Sequence, residues 1–565
     1  MNGGVRVVDI CGMGGVGKTT LAKVVYDRMS PNFDASHFIF KGNNEGKSNW
    51  LLPGKNILLV LDDIDIYHLD EVMLTIDENL LGKGSRIIIT TRDEGLLKGF
   101  KMHHIYRVKL LTNREAVQLL CRKVFRCDFP IRGYEEKINS ILDYANGLPL
   151  AIVDFGSLLH GRRSASEWST SALVEFKKIV NFVVMKVLDK TFLELSFDYQ
   201  EIFLDIACFF IGKEIEYLEG ILRCYAVEDI QLLIDKSLMT IIDKKIQMHR
   251  LLQEMGREIV QQQSPSNPEK RSRLWNFDDI DVVMQNDTAT FKVEAIVLDL
   301  EDSREKRLRV EALSRMSNLR LLIFCNVKFS GVLKNLSWQL RYISWHQYPY
   351  TSLPSCYRPY FLTELNFPDS CITSVWDEHD GEKVFWHLRN MNLRGSKDLT
   401  KMPNFNGFRI LERLDLEGCI KLSQLDGSIA DCSKLKFLNL RNCANLVSIP
   451  NKLFSLSSLE ILNLAGCFKF ANCLNFAPFE EIAEGESIQQ SSSPRRQKLC
   501  RSKSIELHYM TLKLLKNYVI SLFNPPLTTG NAKKTFPTNI KSVPALAFCG
   551  GLRTEQIIIP RQMRN

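Results

Sequence analysis

A glycine-rich segment near the start of the chain has the residue types and spacing of a phosphate-binding loop. Residues 12–20 read Gly-Met-Gly-Gly-Val-Gly-Lys-Thr-Thr and fit the pattern G-x-x-x-x-G-K-[ST]. The residues expected to bind a nucleotide are Gly12, Gly14, Gly15, Val16, Gly17, Lys18, Thr19 and Thr20. The glycines let backbone N–H groups turn toward one anion, Lys18 would reach the β- and γ-phosphates, and the Thr19 hydroxyl would hold Mg²⁺.

Polar residues that follow two apolar runs complete this candidate site. Asp62 and Asp63 follow the run Ile57–Leu61, and Arg92 follows the run Ile87–Thr91. A carboxylate at Asp62 would hold the Mg²⁺ that bridges the phosphates, and Asp63 would orient or deprotonate a water. Arg92 is a candidate sensor of the γ-phosphate, because a guanidinium matches phosphate oxygens in a fork.

Alternating strand and helix patterns position these residues. The apolar run Val5–Ile10 precedes the loop, and Leu21–Met29 predicts the helix that follows it. The later runs at Ile57 and Ile87 are short enough for strands that are buried on both faces. Residues 1–112 are therefore predicted to form an α/β P-loop NTPase domain with a parallel sheet, the first domain of a multidomain chain.

The next part of the chain is predicted to be helical and to end in a winged-helix-like pattern. Residues 113–190 form a helical subdomain in which Pro149 starts a helix. Residues 191–285 give helices around a hairpin whose strands are Leu238–Ile242 and Lys245–Met248. His249 follows this hairpin, where an imidazole could meet a phosphate or could simply be an exposed histidine. Phe203–Phe210 predicts a buried helix rather than a site.

A leucine-rich repeat occupies residues 290–475. The frame L-x-x-L-x-L begins at Leu319, Leu340, Leu362, Leu388, Leu411, Leu435 and Leu459. This spacing lies within the period of about 20–29 residues of leucine-rich-repeat solenoids, in which each unit gives one strand to a curved sheet. The concave face should present Arg320, Arg341, Glu364, Arg389, Arg413 and Lys436, a surface suited to protein recognition. Residues 476–565 are a linker and an unassigned tail, with Gly485–Ser504 predicted to be disordered.

Bulk composition limits the class of protein. The chain has 565 residues, 45% hydrophobic and 24% charged, which is ordinary for a globular protein with several domains. We expect no membrane span and no secretory signal, and 15 cysteines without a C-x-x-C pair predict free thiols in a reducing cytoplasm. The formal net charge is +8. A basic cluster at residues 495–503 is a solvated stretch, a nuclear-import signal or a nucleic-acid contact.

In this order, the motifs resemble the NB-ARC and leucine-rich-repeat part of plant TIR-type immune receptors. The matching segments are Gly12–Thr20, Leu58–Asp65, Gly84–Asp93, Gly147–Ala151, Phe203–Phe210, Met248–Val260, Lys270–Trp275 and the repeats. The resemblance implies a switch that ADP holds in a closed monomer and that ATP releases for oligomeric assembly and defence signalling. It also implies that Asp62 holds Mg²⁺, Arg92 senses phosphate, Pro149 lines the adenine and His249 touches the ADP phosphate. The repeats would recognise a pathogen effector or a guarded host protein, and a partner receptor is a further expected partner.

Three departures from the family pattern modify these expectations. The chain begins one strand before the phosphate loop, so we expect no TIR domain and no NAD hydrolysis. Only Lys41–Asn56 separates two predicted neighbouring strands, which is short for a parallel crossover. The family's Met-His-Asp motif reads Met248-His249-Arg250, so a cation replaces a carboxylate.

Four functions therefore remain open from the sequence. The first is a binding switch with slow or negligible ATP hydrolysis. The second is a genuine ATPase in which Asp63 activates water, and the third is a nucleic-acid-binding ATPase that uses the basic cluster, although nucleic acid is the less expected partner. The fourth is a non-signalling remnant or decoy.

Overall fold

A computed structural model of the chain describes residues 6–40, 54–65, 81–97, 103–162, 165–215, 218, 230–286, 288–300, 307–376, 385–473 and 557–558. The chain divides into two compact units, Met1–Pro265 and Ser266–Asn565. Within the described residues, no helix combines the length and the apolar character that a membrane crossing requires. The predicted disordered linker Gly485–Ser504 and most of the predicted tail lie outside the described residues.

The first unit contains a five-stranded parallel sheet, as the sequence predicts. Its strands are β1 (Arg6–Cys11), β2 (Ala35–Phe40), β3 (Ile57–Asp62), β4 (Arg86–Thr91) and β5 (His103–Arg107). Their order across the sheet is β2-β3-β4-β1-β5. Because β1 lies beside β4, the phosphate loop after β1 and the polar residues after β3 and β4 share one edge of the sheet.

Burial on both faces explains the continuous apolar runs. Every residue of β3 is buried. Helix α1 (Lys18–Met29) covers one face, where Ala22 packs with Leu58 and Val60, and Leu59 and Leu61 pack on the other face. A strand of this kind cannot alternate polar and apolar residues, because neither face meets water.

The short segment that the sequence analysis noted at 41–56 falls mainly on residues outside the described ones. The strands on either side of it are nevertheless parallel neighbours. They pair in continuous register from Ala35 with Ile57 to Phe40 with Asp62. The edge of the sheet therefore forms despite the short connection.

Five helices follow the sheet: α2 (Asn113–Phe125), α3 (Glu135–Ala145), α4 (Pro149–Leu159), α5 (Thr170–Leu193) and α6 (Phe197–Asp205). Helix α2 begins at a capping box, in which the Thr112 hydroxyl accepts from the Glu115 N–H and the Glu115 carboxylate accepts from the Thr112 N–H. Helix α4 begins at a proline, which suits the first helical position because no N–H is needed there.

A hairpin and a helix complete the first unit. Helix α7 (Gln231–Asp235) precedes β6 (Thr240–Ile242), β7 (Lys245–Gln247) and helix α8 (Arg250–Gln262). The two strands pair antiparallel, as predicted, and both turn residues between them have positive φ, the backbone that a two-residue hairpin of this twist requires. The predicted buried helix Phe203–Phe210 is also present, with its second half in a single π-helical turn.

The second unit is a solenoid whose parallel strands stack in sequence order. Helix α9 (Phe277–Gln285) lies near its start, β10 (Arg307–Arg309) pairs with β12 (Lys328–Ser330), and α10 (Phe468–Cys473) follows the last repeat. The main sheet consists of β8 (Arg273–Leu274), β9 (Ala295–Asp299), β11 (Leu321–Cys325), β13 (Tyr342–Trp345), β14 (Glu364–Asn366), β15 (Asn390–Asn392), β16 (Arg413–Asp415), β17 (Phe437–Asn439), β18 (Ile461–Asn463) and the antiparallel β19 (Ile557–Ile558).

All seven predicted repeats supply a strand, and the sheet starts before the first of them. The unit of β9 has the same frame with Val293, Ile296 and Leu298, which are buried like the leucines of the later units. Strand β8 precedes the predicted start of the repeats at residue 290. A search for a leucine pattern does not find the repeat of β9, because valine and isoleucine fill two of its three core positions.

Three buried cysteines occupy equivalent turns of successive repeats. The Sγ atoms of Cys419, Cys443 and Cys467 each donate to the carbonyl of Leu393, Leu416 or Leu440 in the preceding repeat, at 3.2, 3.1 and 2.9 Å. Burial raises the pKa of all three thiols, so they remain protonated donors. In an earlier repeat the Ser396 hydroxyl makes the equivalent bond to a carbonyl. The cysteines thus tie each turn to its neighbour.

This arrangement predicts an unusual ranking of substitutions at Cys443. We expect Cys443→Ser to retain a donor and to destabilise the chain less than Cys443→Ala, by about 1 kcal/mol, the net value of a typical hydrogen bond. Denaturant unfolding of both variants measures the difference. If the alanine variant proves the more stable, the thiols act only as apolar filler.

Candidate functional site

The phosphate loop connects β1 to α1 and contacts the start of α4. Gly15 and Gly17 have φ of 80° and 100°, a left-handed backbone that favours glycine. The Leu150 N–H donates to the Gly15 carbonyl at 3.2 Å, and a Cβ at Gly15 would lie 2.8 Å from the Leu150 Cβ. Gly15 must therefore be glycine for two independent reasons, its backbone conformation and its close neighbour.

Lys18, the first residue of α1, is buried inside the loop. Its Nζ donates to the carbonyls of Gly12 and Met13 at 2.7 and 3.0 Å, so the ammonium spans the concave side of the loop. Val16 is buried beneath the loop, whereas the Thr20 side chain is exposed on α1. The ammonium is thus already oriented toward the place where a phosphate would enter.

The environment of Lys18 weakens its hold on its proton. Burial, followed by the nearby positive charge of Arg92, lowers the pKa of Lys18 from 10.5 to about 8. The carboxylates of Asp63 and Asp62 offset this only in part, so the net shift is downward. A phosphate group beside Lys18 would favour the charged ammonium further.

This lowered pKa predicts a pH-dependent nucleotide affinity. Below about pH 8 Lys18 is already charged, but above it the free protein must take up a proton to bind phosphate. The dissociation constant should then rise by about tenfold per pH unit above this value, until the pKa of the bound state is reached. Titrations with fluorescent nucleotide at several pH values test this. Lys18→Arg, which stays charged, should show no such rise, and an equal rise in both proteins would contradict the assignment.

Asp62 and two hydroxyls form a compact oxygen cluster at the end of β3. The Thr19 hydroxyl donates to Asp62 Oδ2 at 3.0 Å, and the Thr90 hydroxyl donates to Asp62 Oδ1 at 2.7 Å. Two neighbouring ligands of an octahedral Mg²⁺ ion lie about 2.9 Å apart, given Mg–O bonds of about 2.0–2.1 Å. The pair formed by Thr19 and Asp62 therefore fits the ion. No cluster of three or more His, Cys, Asp or Glu occurs in the described part of the chain, so phosphate and water oxygens would complete the coordination.

Arg92 is held by two groups beside the loop. Its Nε donates to Asp63 Oδ1 at 3.3 Å, and its Nη1 donates to the Val187 carbonyl of α5 at 2.7 Å. A Cβ added at Gly14 would lie 3.3 Å from that same Nη1 and 3.1 Å from Val187 Cγ1. The guanidinium thus lies against the phosphate loop and is hydrogen-bonded to helix α5.

Asp63 receives a second cation from the same helix. Lys190 Nζ lies 3.2 Å from Asp63 Oδ2. Burial alone would raise the pKa of Asp63, but the charges of Arg92 and Lys190 outweigh it and lower the pKa below its usual value. A carboxylate with a lowered pKa is a weak proton acceptor. The geometry therefore suits Asp63 to holding Arg92 better than to deprotonating water.

Val187 and Lys190 were not among the residues selected from the sequence. They lie on a long helix about one hundred residues after Asp63 and Arg92, and belong to no motif. Their only sequence signal is the apolar repeat of α5, which does not reveal what the helix contacts. Tertiary contacts across such a separation are not visible in spacing.

Pro149 is next in the chain to a residue that contacts the phosphate loop, whereas His249 is hydrogen-bonded to Asn146. Pro149 starts α4 next to Leu150, which contacts the loop. His249 Nδ1 accepts the Leu251 N–H and its Nε2 lies 3.1 Å from the Asn146 carbonyl, so Nε2 carries the proton. Burial lowers the pKa of His249 and favours this neutral ring. A phosphate contact would require Nε2–H to leave Asn146, and this contact remains a prediction.

Arg250 replaces the expected carboxylate and contacts Glu254 and Tyr144. Its Nε lies 3.0 Å from Glu254 Oε1 on the next turn of α8, and its guanidinium lies over the Tyr144 ring at 5.6 Å. A cation in the first turn of a helix opposes the helix dipole, and Glu254 offsets that cost. Arg250 thus joins α8 to α3 in this conformation.

Comparisons with known proteins identify two domain families and several similar plant proteins. A family model described as the NB-ARC domain matches residues 45–129, and one described as the winged-helix domain of Roq1-like disease resistance proteins matches residues 197–264. TMV resistance protein N of Nicotiana glutinosa is 35% identical over 476 residues, 76% of this chain and 40% of that protein. Disease resistance protein RRS1 of Arabidopsis thaliana is 34% identical over 496 residues, and RUN1 of Vitis rotundifolia is 32% identical over 495 residues.

The fold and the site define a nucleotide-binding switch domain followed by a leucine-rich-repeat solenoid. The chain belongs to the NB-ARC leucine-rich-repeat disease-resistance proteins of plants, of the TIR-type class, which confirms the resemblance drawn from the sequence. The chain spans between 36% and 40% of the length of the three relatives.

Proposed function

We propose that this chain is an ADP/ATP switch in which the γ-phosphate competes for Arg92. The observation that carries the proposal is the double attachment of Arg92 to Asp63 and to the Val187 carbonyl of α5. ADP leaves these bonds in place. ATP offers Arg92 oxygens that match its planar fork, and the guanidinium must release Val187 to use them. Binding of ATP rather than ADP would therefore loosen the contact between Arg92 and α5.

The remaining residues of the site bind and orient the nucleotide. Lys18 exchanges its two loop carbonyls for phosphate oxygens. Thr19 and Asp62 would hold Mg²⁺, which would neutralise part of the phosphate charge. Thr90 keeps the Asp62 carboxylate in position by its bond to Oδ1. Pro149 lines the adenine side.

Hydrolysis in this switch is slow. The lowered pKa of Asp63 makes it a poor base, and each of its two carboxylate oxygens is paired with a cation. A genuine ATPase is the competing function. It requires multiple turnovers that Asp63→Asn abolishes, whereas the switch predicts little phosphate release from either protein.

The solenoid would supply recognition, and assembly would supply the output. Two of the charged residues expected on a protein-binding face, Glu364 and Arg413, lie in its strands. We propose that this face binds a pathogen effector or a guarded host protein in the cytoplasm, or in the nucleus. The ATP form would pair with further copies or with a partner receptor.

Replacing Arg92 tests the proposed competition. Arg92→Ala should lower the affinity for ATP by about tenfold or more, the loss of a charge-assisted contact, and should leave ADP affinity nearly unchanged. Titration of each nucleotide in the presence of Mg²⁺ measures both constants. Arg86→Ala, at the other end of β4, is the matched control, because the Arg86 guanidinium donates to the carbonyls of Gly84 and Ser85 just before the strand. Equal losses for ADP and ATP would refute the competition.

A further inference from the structure

Three consecutive repeats carry aromatic side chains at one exposed position of the solenoid. The position lies two residues before the first leucine of each unit, and it is exposed in every unit. Along the seven units it is occupied by Ser317, Trp338, Tyr360, Trp386, Arg409, Ser433 and Ser457. Serine therefore suffices for the fold at this position, and the aromatic residues require another reason.

The three aromatic units form a continuous apolar surface. Phe361 and His387, each one residue further along, fill the spaces, and Phe361 lies 6.0 Å from Trp338 and 6.2 Å from His387 between ring centres. Together with Tyr360 and Trp386 these rings line a groove of about 560 Å³. Trp338, Tyr360 and Trp386 are 48%, 46% and 52% exposed. Half-exposed aromatic rings grouped in this way mark an interaction site rather than a core. We refer to these five residues as the aromatic groove.

The groove offers hydrogen-bond donors and very little else that is polar. Among the described residues, the indole N–H groups of Trp338 and Trp386 and the Tyr360 hydroxyl make no hydrogen bond. His387 Nδ1 is occupied by the Tyr360 carbonyl. A ligand that fits must bring apolar rings or methylenes together with carbonyl acceptors that its own structure leaves unpaired.

An extended proline-rich segment has both properties. Its polyproline helix has no internal hydrogen bonds, so its carbonyls are free, and it loses little entropy on binding. One turn of that helix rises about 9.3 Å. Trp338 and Trp386 belong to units two strands apart, and two strand spacings in a sheet are about 9.6 Å. Prolines three residues apart would thus match the spacing between Trp338 and Trp386.

The next position in the same column adds a charge. Arg409 is exposed, and among the described residues it makes no ion pair or hydrogen bond. It lies one strand spacing beyond Trp386, because β15 and β16 pair in register. An acidic residue at the end of the proline-rich segment would meet this guanidinium.

We propose that the aromatic groove and Arg409 bind a proline-rich, extended segment of a partner protein that carries an acidic residue at one end. The proposal goes beyond the nucleotide switch, since the groove belongs to the solenoid and needs no nucleotide. Single-stranded nucleic acid also stacks on aromatic rings, but it requires cations along its whole backbone. Here a single arginine follows the aromatic units in the column, which favours a peptide.

Fluorescence anisotropy of a labelled oligoproline peptide with glutamates at both ends tests the proposal on the full chain. We expect saturable binding that Trp386→Ala weakens by at least about tenfold, as for a central aromatic anchor. Phe291→Ala, which removes another half-exposed aromatic side chain of the solenoid, in the repeat of β9, is the matched control and should bind normally. Arg409→Glu should weaken the acidic peptide but not an uncharged oligoproline, whereas Lys328→Glu should affect neither. Nucleotide binding should be unchanged in all four variants, which separates this proposal from the switch.

Several results would overturn it. A peptide in which glycine and serine replace the prolines should not bind, and equal binding would show that the extended proline helix is not recognised. Binding of oligothymidylate that depends on Trp386 would identify a nucleic-acid platform instead. Self-association of the wild type that Trp386→Ala abolishes would assign the groove to a second copy of the chain. Absence of peptide binding by folded wild-type protein would also refute it.

Discussion

Replacing Lys18 by alanine is expected to weaken nucleotide binding by about 100-fold or more. The Lys18 ammonium bridges the loop carbonyls. Without it, the bound nucleotide loses several charge-assisted hydrogen bonds to phosphate, each worth about 1.5–3 kcal/mol. The substitution removes a cation whose charged form is disfavoured by burial, so the free protein should remain folded. Titration with a fluorescent nucleotide gives the affinity, and thermal unfolding without nucleotide gives the stability.

Lys23→Ala is the appropriate control for this result. Lys23 lies on the same helix but is exposed, with its ammonium over the Phe40 ring. The substitution should change nucleotide affinity by no more than about twofold, because a solvated cation on the helix surface contributes little. If Lys18→Ala still binds nucleotide like the wild type, the loop is not the phosphate site.

Replacing Leu438 by alanine is expected to cost the solenoid about 3–5 kcal/mol of unfolding free energy. Leu438 is fully buried in β17, aligned with Leu414 and Leu462 of the adjacent strands. The truncation leaves a cavity between two packed neighbours, and the stacked repeats on both sides restrict its collapse. Denaturant unfolding followed by circular dichroism measures the loss.

The control for this prediction lies two residues earlier. Lys436 is about half exposed and forms one surface ion pair with Glu412, so Lys436→Ala should cost no more than about 1 kcal/mol. Because each repeat contacts only its neighbours, the loss at Leu438 should propagate along the solenoid. Similar stabilities for the two variants would contradict the core assigned to this strand.

Local spacing predicted the phosphate-loop motif and the carboxylate at the end of β3. The phosphate loop needs its glycines and lysine in fixed order, and Asp62 follows a strand whose apolar run is unmistakable. The repeats were predictable because their period imposes one leucine frame on every unit. The β9 unit was missed because Val293 and Ile296 fill the same core positions with a different residue type.

Contacts between distant segments could not be predicted in the same way. Arg92 was selected as a sensor, but its attachment to Val187 depends on how α5 packs against the sheet. The same helix brings Lys190 to Asp63 and lowers the pKa of the proposed base. The contacts of Arg250 also depend on tertiary structure, since its guanidinium lies over Tyr144 of another helix while it pairs with Glu254.

The nucleotide retained by the purified chain tests the central claim most directly. The wild type and Lys18→Ala would be isolated under native conditions and then denatured. Chromatography would identify and quantify the released nucleotide. A switch built around Lys18 and Arg92 predicts that the wild type retains ADP in a one-to-one ratio, that Lys18→Ala retains none, and that ATP replaces ADP only on exchange. A wild-type chain that is folded yet carries no nucleotide, and takes up neither ADP nor ATP with Mg²⁺, would contradict the account.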